Sequence, residues 1–213
     1  MKKVDFKTAE KKLYQPPTTP GVIEVPTLRF LMVDGKGNPN EPGGSYQTAV
    51  ELLYTLSYTI KMMPKNSHTP QGYFEYVVPP LESLWWLEAD TGFENTDKSN
   101  YVWTAMLRQP EFVTEAVFDE AVQLAQRKKP QLPFSLVRLA DMSEGLCVQC
   151  MHLGPYDDEP ATLQRMNTFI EENRLVLDFS DTRRHHEIYL SDPRKTIPEK
   201  MRTVLRQPVR KTP

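Results

Sequence analysis

Cysteine is nearly missing from this chain: Cys147 and Cys150 are the only two in 213 residues. That is too few for a disulfide framework and fits a reducing compartment. No apolar run reaches the length needed to span a bilayer. The start, Met1-Lys2-Lys3-Val4-Asp5, carries charge where a signal peptide needs an apolar stretch, so secretion by that route is excluded and a cytoplasmic location is expected. Neither sign of charge dominates: 26 Lys and Arg stand against 28 Asp and Glu, a net charge of −2. General attraction to nucleic acid or to an anionic membrane is therefore not expected. Gly35-Lys36-Gly37 lacks the spacing of a phosphate cradle or a dinucleotide fingerprint and reads as a turn. Cys147-Val148-Gln149-Cys150 lies in a strand-like run, which points its two sulfurs to opposite faces. Zinc would need two further ligands, and His152, His185 and His186 fit no standard ligand pattern. Buried strand cysteines are the better reading; no metal and no cofactor is expected.

What is present suits a folded domain. Hydrophobic residues make up 39% and charged residues 25%, enough for a sizeable core. A basic, then Pro-rich segment, residues 1–22, reads as a helical turn and an extended arm. Residues 23–213 read as one domain of two halves, about 23–112 and 131–213, joined by a helix. Strands are expected over Leu28–Val33, Tyr73–Val78, Leu84–Leu87, Tyr101–Arg108, Ser135–Ala140, Leu146–Leu153 and His185–Leu190, the last of which closes the set. Helices are expected over Tyr46–Met63, capped by Ser45 and ended by Pro64, over Glu115–Lys128, capped by Thr114, and over Pro160–Asn173. Apolar residues at helical spacing mark their inner faces: Leu52, Leu56, Ile60 and Met63 in the first, Met166 and Ile170 in the last. The order strand, glycine turn, helix, strands occurs twice, with Gly35 and Gly154 in equivalent places. The expected fold class is α+β: duplicated strand-helix-strand-strand units forming an antiparallel sheet, helices on one face and a central ligand pocket. The basic tail from Arg194 onward, including Arg206, reads as solvated surface with a flexible end.

The segment His185-His186-Glu187-Ile188-Tyr189-Leu190-Ser191-Asp192-Pro193-Arg194, followed by Ile197-Pro198-Glu199-Lys200-Met201-Arg202-Thr203 and Gln207-Pro208-Val209, resembles the close of a GyrI-like domain. Val78-Pro79-Pro80-Leu81-Glu82-Ser83-Leu84-Trp85-Trp86 and Tyr101-Val102-Trp103-Thr104-Ala105-Met106-Leu107-Arg108-Gln109-Pro110 resemble the stand-alone branch of that family. The resemblance runs from about residue 15 onward. It implies two strand-helix-strand-strand units about a pseudo-twofold axis and a central pocket for bulky, often aromatic or cationic, compounds. In the wider family such domains are fused to DNA-binding modules, and none is visible in this sequence. Some stand-alone members hydrolyse the strained cyclopropane of DNA-alkylating natural products.

Glu187 is the leading candidate for chemistry. In a strand it shares a face with His185 and Tyr189, while Ile188 and Leu190 turn to the other, which is expected to be the helix-covered core. A carboxylate among aromatic rings is poorly solvated, so its pKa should rise, fitting it to attract a cation or to act as a general base. The bland alternative is a surface glutamate paired with Arg183 or Arg184. Trp85, Trp86 and Trp103 could stack on a planar ligand or hold a cation, worth roughly 0.5 to 2 kcal/mol each. Trp85 and Trp86 must point opposite ways; Trp86, on the side of Glu82, is the favoured pocket residue. Tyr73, Tyr156, Tyr189 and His185 are further lining candidates. Glu82, and more weakly Glu75, could share the cavity and divide acid and base roles with Glu187.

Three functions stay open: a hydrolase acting on a strained electrophilic ring, a non-catalytic module that sequesters or senses a compound, and a topoisomerase-interacting protein. The expected partner in the first two is a hydrophobic or cationic small molecule. A homodimer is compatible with the sequence.

Overall fold

The structure is a computed structural model that describes residues 3–87 and 97–212. In chain order its elements are α1 (Phe6–Ala9), α2 (Lys11–Tyr14), β1 (Gly21–Val25), β2 (Leu28–Lys36), α3 (Ser45–Asn66), β3 (Leu81–Leu87), β4 (Tyr101–Arg108), α4 (Glu115–Lys128), β5 (Arg138–Met142), β6 (Gly145–Leu153), α5 (Glu159–Glu172), β7 (Leu175–Leu177), β8 (His185–Tyr189) and β9 (Arg202–Lys211). The chain divides into two compact units. Among the described residues, the first takes those of 1–6, 28–81 and 86–141, the second those of 7–27, 82–85 and 142–213. Each is α+β, with antiparallel strands and helices packed on them. No helix among the described residues is long and apolar enough to cross a membrane.

In the first unit β2 and β4 pair antiparallel and α3 lies against both. The helix buries Ala49, Leu52, Leu53, Leu56, Ile60 and Met63, the stripe its periodicity dictates. Its ends differ from expectation. Gly44 is the cap, and the Ser45 hydroxyl donates instead to the Lys36 carbonyl at 3.1 Å. Pro64 sits inside the last turn, which continues to Asn66; a proline this near the end forfeits one bond, and Ser67 N–H closes the turn on the Met63 carbonyl at 2.8 Å. Thr114 caps α4 as expected, accepting from Val117 N–H. Residues 73–78 form no extended strand: only Tyr76 bridges, to Val4, while Tyr73, Phe74 and Tyr76 cluster around Phe112. Gly35 is not in a turn but inside β2, opposite Trp103 of β4. A Cβ there would lie 2.2 Å from the indole. Gly154, its expected counterpart, ends β6 with φ 128, a conformation side chains resist. The two glycines therefore answer different demands.

In the second unit the antiparallel pairs are β1 with β6, β6 with β9, β9 with β8, β8 with residues 82–85 of β3, and β7 with β9. Helix α5 packs Met166 and Ile170 on Val148, Cys150, Leu205 and Val209, which all lie on one sheet face. Two expectations fail here. Part of the amino-terminal arm is a strand, β1, and the basic tail is β9, whose Thr203 to Val209 are all buried. Arg206, expected in solvent, is 2% exposed. The register Glu187↔Leu205 also puts Glu187 on the α5 face, whereas Ile188 turns to the opposite face.

Substituting Gly35 with Ala forces a methyl group into the Trp103 ring and is expected to cost about 1–3 kcal/mol. Gly21→Ala, where nothing lies within 4 Å of the added carbon, is expected to stay within about 0.5 kcal/mol. Urea denaturation of both variants measures the contrast.

Candidate small-molecule site

Strand β8 carries different chemistry on its two faces, because successive side chains alternate. His186 and Ile188 share a face with Glu82 and Leu84 of β3 and Arg206 of β9. His185, Glu187 and Tyr189 share the other with Ser83, Trp85, Leu205 and Thr203.

The first face holds four buried charges. His186 Nε2 lies 3.0 Å from Glu82 and its Nδ1 2.9 Å from Glu144. The other Glu144 oxygen accepts from Arg206 at 2.7 Å. Arg206 also donates to Gln149 Oε1 at 3.2 Å and to the Leu13 carbonyl at 3.0 Å. Tyr14 donates to Glu82 at 3.2 Å, and Gln149 to the Lys12 carbonyl at 2.7 Å. With His186 protonated, two anions and two cations cancel, and helix α2 is fastened over them. Burial alone would push the Glu144 carboxyl up, but the charges of His186 and Arg206 outweigh it and hold it down to about 2. Burial alone would lower His186; the Glu144 charge and hydrogen bonds to Glu144 and Glu82 raise it instead to about 9. Arg206 is likewise raised, burial being outweighed by Glu144 and Glu82.

The second face holds the acid among rings. The Glu187 side chain is 12% exposed. Its Oε2 accepts from the Tyr189 hydroxyl at 2.7 Å, and its Oε1 lies 3.3 Å from His185 Nε2. Trp85 Nε1 donates in turn to the Tyr189 oxygen at 2.9 Å, completing an indole–phenol–carboxylate chain. Tyr156, in the turn before α5, meets the Tyr189 ring edge-on with centroids 5.6 Å apart. Burial first, then the Glu187 charge, pushes the Tyr156 phenol up to about 12, so it stays protonated.

Of the residues singled out from sequence, the structure thus gathers Glu187, Tyr189, His185, Trp85 and Tyr156. Arg183 and Arg184 do not pair with Glu187; they pair with Asp178 and Asp181. Glu82 is corrected: it lies on the opposite face and is engaged by His186 and Tyr14, so it does not share a cavity with Glu187. The favoured Trp86 is also corrected. Trp85, its neighbour, carries the bond to Tyr189, and Trp86 groups with the first unit, half-buried. Trp103 is buried in the first unit against Gly35 and edge-on to Tyr46. Tyr73, in the same unit, donates to the Lys61 carbonyl at 3.1 Å and packs on Phe112; Glu75 is exposed. Cys147 and Cys150 are free and buried, and burial raises both thiols. Among the described residues no group of His, Cys, Asp or Glu is arranged to hold a metal. The residues missed from sequence are Glu144 and Arg206; charge in a loop and in a basic tail ordinarily means solvent. An open cleft lined by Thr18, Met151, His152, Leu153, Asp158 and Arg165 lies beside the start of α5, and none of the Glu187 group lines it.

An α+β fold with an acid held among aromatic rings is compatible with a small-molecule-binding domain. The chain belongs to the GyrI-like small-molecule-binding domain family, which it matches over residues 18–210. It is similar to a crystal structure of a hydrolase from Listeria innocua, with 47% identity and TM-score 0.88 over 98% of this chain and 100% of that one. It is also similar to an uncharacterized conserved protein from Listeria innocua, with 49% identity and TM-score 0.92 over 98% and 100%. The C-terminal domain of EcmrR, 14% identical with TM-score 0.53 over 91% and 98%, shares the fold. No curated protein matches the chain.

The buried quartet makes stability depend on pH. The His186 contribution is complete below about 6.5 and is lost as pH rises through about 9. The Glu144 contribution is complete above about 4.5 and is lost as pH falls through about 2. The urea midpoint is therefore expected to fall between pH 6.5 and 9, in step with the His186 ring titration followed by NMR. Arg206→Met, which removes one of two cations facing Glu144, is expected to cost about 3–5 kcal/mol by chemical denaturation.

Proposed function

We propose that the protein binds a bulky aromatic or cationic small molecule on the Glu187 face and hydrolyses a strained, electrophilic ring in it. The observation that carries this reading is the Glu187 carboxylate, mostly shielded from water and hydrogen-bonded by Tyr189, which Trp85 in turn engages. The Listeria innocua protein described as a hydrolase, nearly half identical over its full length, supports the reaction class. The resemblance to the stand-alone branch supports a cyclopropane conjugated to a carbonyl as the reacting group.

In the proposed reaction Glu187 takes a proton from water as the oxygen attacks the less hindered ring carbon. The new C–O bond replaces a cyclopropane C–C bond, whose electron pair passes to the conjugated carbonyl oxygen. The proton then moves from Glu187 to that oxygen, so one water is added in total. Tyr189 fixes the carboxylate, the buried Trp85 orients Tyr189, and the half-buried Tyr156 offers ring surface to an aromatic ligand. Detoxification of DNA-alkylating compounds is the service such a reaction would perform.

A cyclopropane-bearing alkylator incubated with the protein is expected to open faster than in buffer. Glu187→Gln is expected to lower kcat by roughly 10²–10⁴-fold, the usual contribution of a general base, with bound ligand still quenching Trp fluorescence. Tyr189→Phe is expected to fall between the two. Tight binding with the compound recovered intact and no rate above buffer would instead mark a sequestering or sensing module.

A further inference from the structure

Strand β9 turns Thr203, Leu205 and Gln207 toward the Glu187 side. Leu205 stands directly opposite Glu187, so Thr203 and Gln207 are its two diagonal neighbours, about 7–8 Å away between Cα atoms. Thr203 is 1% exposed and Gln207 7%. Among the described residues, neither Thr203 Oγ1 nor Gln207 Oε1 has a hydrogen-bond partner. Buried polar atoms are ordinarily satisfied, and the side chains directly opposite Thr203 on both neighbouring strands are. His152, opposite Thr203 on β6, is bonded to Thr162 at 2.9 Å and to the Pro155 carbonyl at 3.0 Å. Tyr189, opposite Thr203 on β8, gives its proton to Glu187 and accepts one from Trp85. The two orphaned atoms thus flank one carboxylate on the same sheet face.

We infer that Thr203 is a positioning residue that holds the attacking water against Glu187, its hydroxyl donating to the water oxygen while the water donates to the carboxylate. Thr203 is the better placed of the two flanks. It lies across from Tyr189, whose hydroxyl already fixes Glu187 Oε2, and its hydroxyl, unlike the Gln207 amide oxygen, can donate to a water. A threonine hydroxyl has no base strength of its own, so its effect is on the water's orientation and not on ligand binding. The inference rests on the reading of Glu187 as the base for water.

The test uses the full chain with a cyclopropane-bearing alkylator. Thr203→Val keeps the shape and removes the hydroxyl. It is expected to lower kcat by about 10-fold or more, to leave KM within about twofold, and to leave the urea midpoint unchanged or raised, since an unsatisfied polar group is lost. Thr203→Ser is expected to restore most of the rate. Wild-type kcat in Thr203→Val, or a fall in kcat that Thr203→Ser does not relieve, overturns the inference. A high-resolution crystal structure of the unsubstituted protein reads it independently of activity. An ordered solvent oxygen within hydrogen-bond distance of both Thr203 Oγ1 and Glu187 supports it, and none there overturns it. If the unsubstituted protein shows no turnover, the reading of function fails and the crystallographic result alone decides the water site, as it does if Thr203→Val does not fold.

Discussion

His186 lies fully buried between two carboxylates, and the fold around the proposed site depends on its staying charged. Its two ring nitrogens tie Glu82 of β3 to Glu144 of the turn before β6. Arg206 of β9 completes the charge balance and reaches the backbone of α2. A cation removed from such a group leaves an uncompensated buried anion, which is far more costly than the intact group is stabilising. Three strands, one turn and one helix are thereby tied to each other by ion pairs and hydrogen bonds. A purely apolar interior would favour their proximity without dictating their register.

The consequence for Glu187 follows from strand geometry. Neighbouring side chains on β8 point to opposite faces, so locking His186 between Glu82, Glu144 and Arg206 also fixes the face and depth of His185 and Glu187. The carboxylate then needs only local partners, and it has them in Tyr189 and His185. A general base gains from being held in one geometry before ligand arrives. Here most of that constraint comes from the sheet face opposite Glu187.

Much of this was legible in the chain, for reasons that differ element by element. Helices α4 and α5 announced themselves through 3.6-residue periodicity and, for α4, a threonine cap, signals that need no tertiary context. Glu187 stood out because the segment from His185 to Arg194 resembles the close of a GyrI-like domain; its pattern alone reads equally well as a surface glutamate. Which face it occupied was not legible. Ile188 and Leu190 show that two faces exist, but nothing local says that α5 covers the one bearing Leu205, or that the Ile188 face is filled by a charged quartet. Strand β9 escaped notice for the same reason: Arg206, Gln207 and Pro208 interrupt its apolar pattern, and arginine ordinarily signals solvent. Only the partner acid, 62 residues away in sequence, makes that arginine an interior residue. Residues 73–78 misled in the opposite direction. Their aromatic content suits a strand, yet the rings are used to pack on Phe112, and a single bridge to Val4 is all the pairing they make.

The two tryptophans at 85 and 86 show how little separates a structural from a functional role. Both are large rings in one strand, and sequence alone favoured the second because it shares a side with Glu82. Once Glu82 is engaged by His186, that association argues against a ligand and not for one. Trp85 is set apart by one directional bond: its N–H is given to Tyr189, so the indole is oriented by the same phenol that fixes Glu187. An aromatic ligand stacked on the half-buried Tyr156, edge-on to Tyr189, would be aligned with the carboxylate through that same phenol. On that argument the phenol of Tyr189 couples ligand recognition to the base, and the identity of residue 189 matters more to the proposed chemistry than the number of aromatic rings around it.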